Sequence, residues 1–144
     1  MKRLVRSRFP GVRQLSTTEL AAWLSDSNRP SPLLLDVREV PEFAVSHLPG
    51  ARNVAPSATA AEAMPATEKE RAVVVYCSVG YRSSDMANRL QSAGFTNVLN
   101  LEGSIFQWAN EGRLLQSNGI ATQRVHPYNA KFGQLLKPEL RAKH

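Results

Sequence analysis

Thiol is scarce in this chain: of its 144 residues one is a cysteine, Cys77, and three are histidines. A single cysteine rules out an internal disulfide and a zinc site made of cysteines alone, so the thiol is either a small packing group or a working one. Long apolar runs are lacking too. Nothing approaches the roughly 20 consecutive apolar residues a transmembrane helix needs. The basic start, Met1-Lys2-Arg3-Leu4-Val5-Arg6-Ser7-Arg8, has no apolar stretch of the kind a secretory signal carries. The expectation is a soluble, cytoplasmic protein with no membrane partner. The sequence also has no internal repeat, and no helix-turn-helix, zinc-finger or aromatic RNA-binding signature accompanies its net charge of +6. Much of that charge lies near the two ends, in Lys2, Arg3, Arg6, Arg8 and Arg13 and in Lys131, Lys137, Arg141 and Lys143. It reads as a solvated basic surface with a modest pull on small anions, and no nucleic-acid partner is expected.

What is present is the composition of a globular domain, 42% hydrophobic and 21% charged, long enough for one core. Apolar residues without alternation, Val73-Val74-Val75-Tyr76, read as a central strand buried on both faces. After Cys77 the pattern changes: Met86, Ala87, Leu90 and Ala93 recur at helical spacing, and Gly94 stands where that helix ends. Cys77 therefore falls between the C-terminal end of a strand and the N-terminus of a helix, where backbone N–H groups lack intrahelical partners and hold anions.

The flanking sequence repeats the alternation. Residues 12–15 read as a strand, Ser16-Thr17-Thr18-Glu19 as a capping box opening a helix, and residues 33–38 as a second buried strand. A short helix at 41–45, a turn at 47–51, a brief strand at 52–54 and an Ala-rich helix at 58–66 ended by Pro65 connect it to the cysteine strand. Residues 98–101 give a further strand, followed by a helix that Ser104 caps and that carries Ile105, Phe106, Trp108 and Ala109. This is an α/β pattern with a mostly parallel sheet, in which sites form beyond the strands' C-terminal ends. The expected organisation is a basic extension at 1–11, a domain at 12–116 and a tail at 117–144. In the tail, Tyr128, Phe132, Leu135 and Leu136 have the spacing of a short amphipathic helix that packs on the domain or on a partner.

A thiol is nucleophilic as thiolate, and helix N-terminal N–H groups and a nearby guanidinium favour that form. The stretch Cys77-Ser78-Val79-Gly80-Tyr81-Arg82 offers both, with Gly80 giving the freedom to curl N–H groups toward the sulfur. Cys77 is the candidate nucleophile, Arg82 the group facing the anion site, and Ser78, Val79 and Tyr81 the entrance. Asp36, Arg38, Glu39 and His47 invite a general-base or metal-ligand reading, but no second histidine stands at ligand spacing, so they are read as supports of the fold. Arg38 is kept as an outlying candidate for a substrate contact.

Cys77-Ser78-Val79-Gly80-Tyr81-Arg82-Ser83 resembles the Cys-x-x-Gly-x-Arg-Ser loop of single-domain rhodaneses, which are sulfurtransferases. Leu35-Asp36-Val37-Arg38-Glu39 with Glu42-Phe43 and His47-Leu48-Pro49-Gly50-Ala51-Arg52-Asn53 is similar to that family's other signature, and Asn100-Leu101-Glu102-Gly103-Ser104-Ile105 with Trp108 to its closing motif. The resemblance spans about residues 14–115. It implies a rhodanese-like α/β fold, with a mostly parallel five-stranded sheet flanked by helices on both faces. It further implies transfer of a sulfane sulfur through a persulfide on Cys77, with Ser78, Val79, Gly80, Tyr81, Arg82 and Ser83 around the transferred sulfur. The implied partners are a small sulfur-containing anion such as thiosulfate as donor, and cyanide, a thiol or a protein as acceptor; no metal or organic cofactor is implied. Two positions depart from the pattern: Ser46 replaces a glycine that a left-handed backbone would favour, and Ser104 replaces the second of a glycine pair. Phosphatases and arsenate reductases of the same fold resemble Cys-x5-Arg, against Cys-x4-Arg here, so the shorter loop argues for sulfur transfer. A carrier or interaction module that delivers the persulfide to one docked protein is the other reading.

Overall fold

The computed structural model describes residues 1–143. Strand β4 (Val73–Tyr76) takes the middle of a sheet because it is apolar on both sides: Val73 and Val75 join one buried cluster, Val74 and Tyr76 the other. Around it, β1 (Arg13–Leu15), β2 (Leu33–Asp36), β3 (Arg52–Asn53) and β5 (Val98–Leu101) complete a five-stranded, all-parallel sheet in the order β1-β5-β4-β2-β3. Parallel strands need crossovers, and the helices that make them cover both faces. One cluster takes Val5 from α1 (Lys2–Arg8), Ala63 from α4 (Ala60–Ala63), and Met86, Ala87 and Leu90 from α5 (Tyr81–Ser92). The other takes Leu20 and Trp23 from α2 (Thr17–Ser25), and Ile105, Phe106, Trp108 and Ala109 from α6 (Ser104–Asn110). A sixth helix, α3 (Val40–Val45), follows β2. The expected α/β class and five-stranded parallel sheet flanked by helices are those found.

The capping box that opens α2 is present in full, with the Ser16 hydroxyl accepting from the Glu19 N–H and the Glu19 carboxylate from the Ser16 N–H, both at 3.0 Å. Elsewhere the structure departs from the reading. The basic N-terminal stretch is a helix because Val5 and Phe9, one helical turn apart, are buried while Arg3, Arg6 and Arg8 stay exposed. Ser46 is extended, at φ −170°, so the strain expected for a left-handed serine does not arise. Ser104 is left-handed, at φ +50°, and opens α6 without capping it, since its hydroxyl turns back to the Leu101 carbonyl at 2.9 Å.

The helix expected near residue 132 is a single turn, α7 (Ala130–Gly133), capped by the Asn129 side chain. Helical spacing does not continue beyond it: Leu136 is buried and Leu135 half exposed. A hairpin of β6 (Leu115–Ser117) and β7 (Ile120–Thr122) went unanticipated, although Asn118-Gly119, at φ +51° and +77°, is the dipeptide such two-residue turns favour. Val125, Leu136 and Leu140 join the second cluster, so the C-terminal segment packs on the domain. Among the described residues no helix is long and apolar enough to cross a membrane.

Candidate active site

Cys77 follows the last residue of β4, at the C-terminal edge of the sheet, and is 1% exposed. The peptide groups on either side of it are oriented by α6. The Cys77 and Ser78 carbonyls accept from the N–H groups of Ile105 and Phe106, both at 3.1 Å, which satisfies first-turn donors of that helix. The Cys77 N–H donates to the Ser104 hydroxyl at 3.3 Å, the reason that hydroxyl is not available as a cap. Gly80 then turns the chain into α5 at φ +105°, a conformation that favours glycine, and its N–H donates to Cys77 Sγ at 3.1 Å. A Cβ at Gly80 would also lie 3.2 Å from Asn100 Nδ2.

Behind the sulfur runs a short polar chain. The Ser83 hydroxyl lies 3.4 Å from Sγ and 2.5 Å from Asn100 Oδ1, and Asn100 Nδ2 donates to Gln14 Oε1 at 2.8 Å. The hydroxyl has one proton and donates to one of its two neighbours at a time. Its bond to Asn100 competes with a bond to sulfur, and a negative charge on the sulfur draws the proton toward it.

Arg82 lines the mouth, but its fork is turned to Glu42. Nη1 and Nη2 donate to the two Glu42 carboxylate oxygens, each at 2.9 Å, and Nη2 also reaches the Ser78 hydroxyl at 3.0 Å. Glu42 comes from α3, where its carboxylate also accepts from the Glu39 N–H at 2.9 Å. Burial acts to raise the Glu42 carboxyl, but hydrogen bonds from Arg82 and Glu39 and the charges of Arg82 and Arg38 outweigh it, leaving it below the usual carboxylate range. For Arg82, burial acts downward and the Glu42 hydrogen bond and the Cys77 and Glu42 charges act upward, with a net rise. The Tyr128 ring lies over the guanidinium, 4.5 Å from its carbon to the ring centre.

These groups enclose a cleft of about 140 Å³ lined by Cys77, Ser78, Val79, Tyr81, Arg82, Tyr128 and Phe132. Of the residues expected around the sulfur, Ser78, Val79, Tyr81 and Arg82 line the cleft, and Gly80 and Ser83 lie within hydrogen-bond reach of Sγ. Glu42, Asn100, Ser104, Tyr128 and Phe132 were not anticipated in this setting. Arg38 is excluded as a substrate contact: it is fully buried and forked onto Asp36 at 2.8 and 2.6 Å. His47 is likewise structural, stacked on Phe43 with ring centres 3.9 Å apart.

Residues 16–111 match the family model described as a rhodanese-like domain. The chain belongs to the rhodanese-like family. It is 34% identical over 101 residues to a sulfurtransferase of Allochromatium vinosum, covering 70% of this chain and 92% of that protein. It is 33% identical over 98 residues to a probable adenylyltransferase/sulfurtransferase MoeZ of Mycobacterium tuberculosis, covering 67% of this chain and 24% of that one. The rhodanese-like chain thus spans about a quarter of the Mycobacterium protein's length. Among solved structures, a rhodanese-like domain from Anabaena superposes with a TM-score of 0.66 at 27% identity, covering 74% of this chain and 80% of the other. A thiosulfate sulfurtransferase from Pseudomonas aeruginosa, at 23% identity, shares the fold with a TM-score of 0.66 over 93% of this chain and 25% of its own. The family match takes in Glu42, the Cys77 loop, Asn100 and Ser104; Tyr128 and Phe132 lie beyond it.

Proposed function

We propose that this rhodanese-like domain is a sulfurtransferase that carries a sulfane sulfur as a persulfide on Cys77. The Cys77 thiolate attacks the outer sulfur of a donor such as thiosulfate; a sulfur–sulfur bond forms to Sγ, the donor's own bond to that sulfur breaks, and sulfite leaves with the electron pair. An acceptor nucleophile, cyanide or a thiol, then attacks the outer sulfur and returns Cys77 as thiolate. The transfer is covalent catalysis in two steps and calls on no metal or organic cofactor. A free thiol fits a reducing compartment, and we place the protein in the cytoplasm on that ground.

The observation that carries this reading is the setting of Sγ: at the sheet's C-terminal edge, with the Gly80 N–H at 3.1 Å and the Ser83 hydroxyl at 3.4 Å, in a loop of six residues from Cys77 to Arg82. Both donors are available to an anionic sulfur without a large rearrangement. Phosphate transfer is disfavoured by the loop's length: Cys77 to Arg82 is Cys-x4-Arg, one residue shorter than the Cys-x5-Arg loops that cradle a phosphoryl group around the attacking sulfur. The test is intact mass after thiosulfate treatment. Wild type gains the mass of one sulfur and Cys77→Ser gains nothing; no gain in wild type, or release of p-nitrophenol from its phosphate as fast as thiocyanate forms, overturns the reading.

A further inference from the structure

The cleft over Cys77 is closed on one side by residues 128 and 132, beyond the span that matches the family. The segment bearing them is tied down at both ends. Val125 before it and Leu136 and Leu140 after it are buried in the second cluster. Arg141 Nε donates to the Gly133 and Leu136 carbonyls at 2.7 and 3.1 Å, and Asn110 binds the Leu135 carbonyl and the Lys137 N–H, both at 2.9 Å. Between these anchors Tyr128 has a left-handed backbone, φ +68°, that a tyrosine adopts only when its surroundings hold it. Its ring faces the Arg82 guanidinium and meets the Phe132 ring edge-on, with centres 5.5 Å apart.

Resting on the sulfurtransferase reading, we propose that Tyr128 and Phe132 form a fixed aromatic roof that, among thiol acceptors of Cys77, favours compact, low-molecular-weight thiols with an aliphatic body over larger ones. Three observations support this. The cleft, about 140 Å³, is well below the roughly 300–1,000 Å³ that encloses a drug-sized ligand. Among its described lining residues Arg82 supplies the only positive charge, and Glu42 already neutralises it, so a polyanionic acceptor gains no counter-charge on entering. Apart from Cys77 and Ser78, the other walls, Val79, Tyr81, Tyr128 and Phe132, offer apolar and aromatic surface, which rewards a short carbon chain. Cys77 itself is 1% exposed, so a cysteine on the surface of a folded protein has to pass the roof to reach the persulfide. In the step itself, the acceptor thiolate bonds to the outer sulfur, the bond between that sulfur and Sγ breaks, and its electron pair returns to Sγ. No oxidant or reductant is consumed.

The experiment is single-turnover discharge of protein loaded with one sulfur from thiosulfate and freed of excess donor, followed by intact mass. The acceptors are 2-mercaptoethanol, glutathione and a ten-residue cysteine peptide, with rates corrected for each thiol's thiolate fraction. Wild type is expected to prefer 2-mercaptoethanol to glutathione by about tenfold or more, in the range that pocket contacts discriminate. Tyr128→Ala narrows that preference by about fivefold, chiefly through faster discharge to the larger thiols, and Tyr128→Phe restores it. Tyr128→Gly, whose backbone suits φ +68°, carries the same test if Tyr128→Ala fails to fold. A wild type without the preference, or a preference that both the alanine and glycine variants keep, overturns the roof. Failure of thiosulfate to load Cys77 overturns the sulfurtransferase reading before any acceptor is added, so the two failures are told apart.

Discussion

Of the two-pronged guanidinium–carboxylate forks near the sheet's C-terminal edge, Arg38–Asp36 and Arg82–Glu42 do different work. Arg38 and Asp36 are two residues apart, joined at 2.8 and 2.6 Å, and neither side chain is exposed at all. A further bond from Arg38 to the Ser46 carbonyl at 2.6 Å ties the end of β2 to the turn before His47. Arg82 and Glu42 are 40 residues apart, joined at 2.9 Å twice, with side chains 22% and 3% exposed. The first fork is sealed and local, and shapes a turn. The second joins α3 to the Cys77 loop, is open to solvent on one side, and lies at the cleft that Cys77 lines. Identical chemistry thus gives a structural clamp in one place and an adjustable wall of a cleft in the other, and burial decides which.

The largest effect expected from this contrast is at Arg38. Removing one member of a sealed pair leaves the other charge buried and alone, so Arg38→Leu is expected to cost about 3–5 kcal/mol of unfolding free energy. Chemical denaturation measures it. Persulfide loading per folded molecule is expected to hold, since Arg38 touches neither Cys77 nor the cleft. A loss under 1 kcal/mol, or a folded variant that cannot be loaded, would break the distinction between clamp and wall.

Glu42→Gln comes next, at about 2 kcal/mol, less than at the sealed fork because water reaches Arg82 and solvates it once it is unpaired. The pH dependence gives an independent reading. Glu42 titrates below its ordinary value of 4.5 when folded, so between the two values the unfolded chain holds the extra proton and stability rises with pH. The pair's contribution is complete above the ordinary value and is lost as pH falls through the folded one. Denaturation midpoints of wild type and Glu42→Gln should therefore converge as pH is lowered from 6 toward 3. Parallel curves would mean that the carboxylate is not what stabilises the loop.

The sequence marks Asp36 and Arg38 as supports of the fold without pairing them and is silent on the pairing of Glu42 with Arg82, and the reason for that silence is separation along the chain. Strands such as Val73–Tyr76, the Ser16–Glu19 box and the Cys77–Arg82 loop are set by neighbours a few residues apart, so pattern and spacing suffice. The pairing of Glu42 with Arg82, the roof of Tyr128 and Phe132, and the chain from Ser83 through Asn100 to Gln14 are made by folding segments together. Spacing carries no signal for them. Two misses were local and readable: Val5 and Phe9 have helical spacing inside the basic N-terminal stretch, and Asn118-Gly119 is a hairpin dipeptide. Ser104 shows the limit of a local rule. A serine before an apolar helix reads as a cap, and here the Cys77 N–H and the Leu101 carbonyl claim its hydroxyl.

The smallest effect, and the finest test of the contrast, is Arg82→Lys. Lysine keeps the charge but replaces a planar fork with a point donor on a flexible stem, so it cannot hold both Glu42 oxygens and the Ser78 hydroxyl in one plane. Water at the exposed side of this pair takes up the unmet hydrogen bonds, and an ammonium still finds the Tyr128 face attractive. The expected cost is about 1 kcal/mol, roughly that of one net hydrogen bond. At the sealed fork the same exchange leaves Asp36 and the Ser46 carbonyl with no water to turn to, so Arg38→Lys should cost at least twice as much. Denaturation of the two lysine variants side by side gives the comparison directly. Equal costs would show that exposure of the Arg82 pair does not soften it, and that the wall beside Cys77 is as rigid as the clamp behind it.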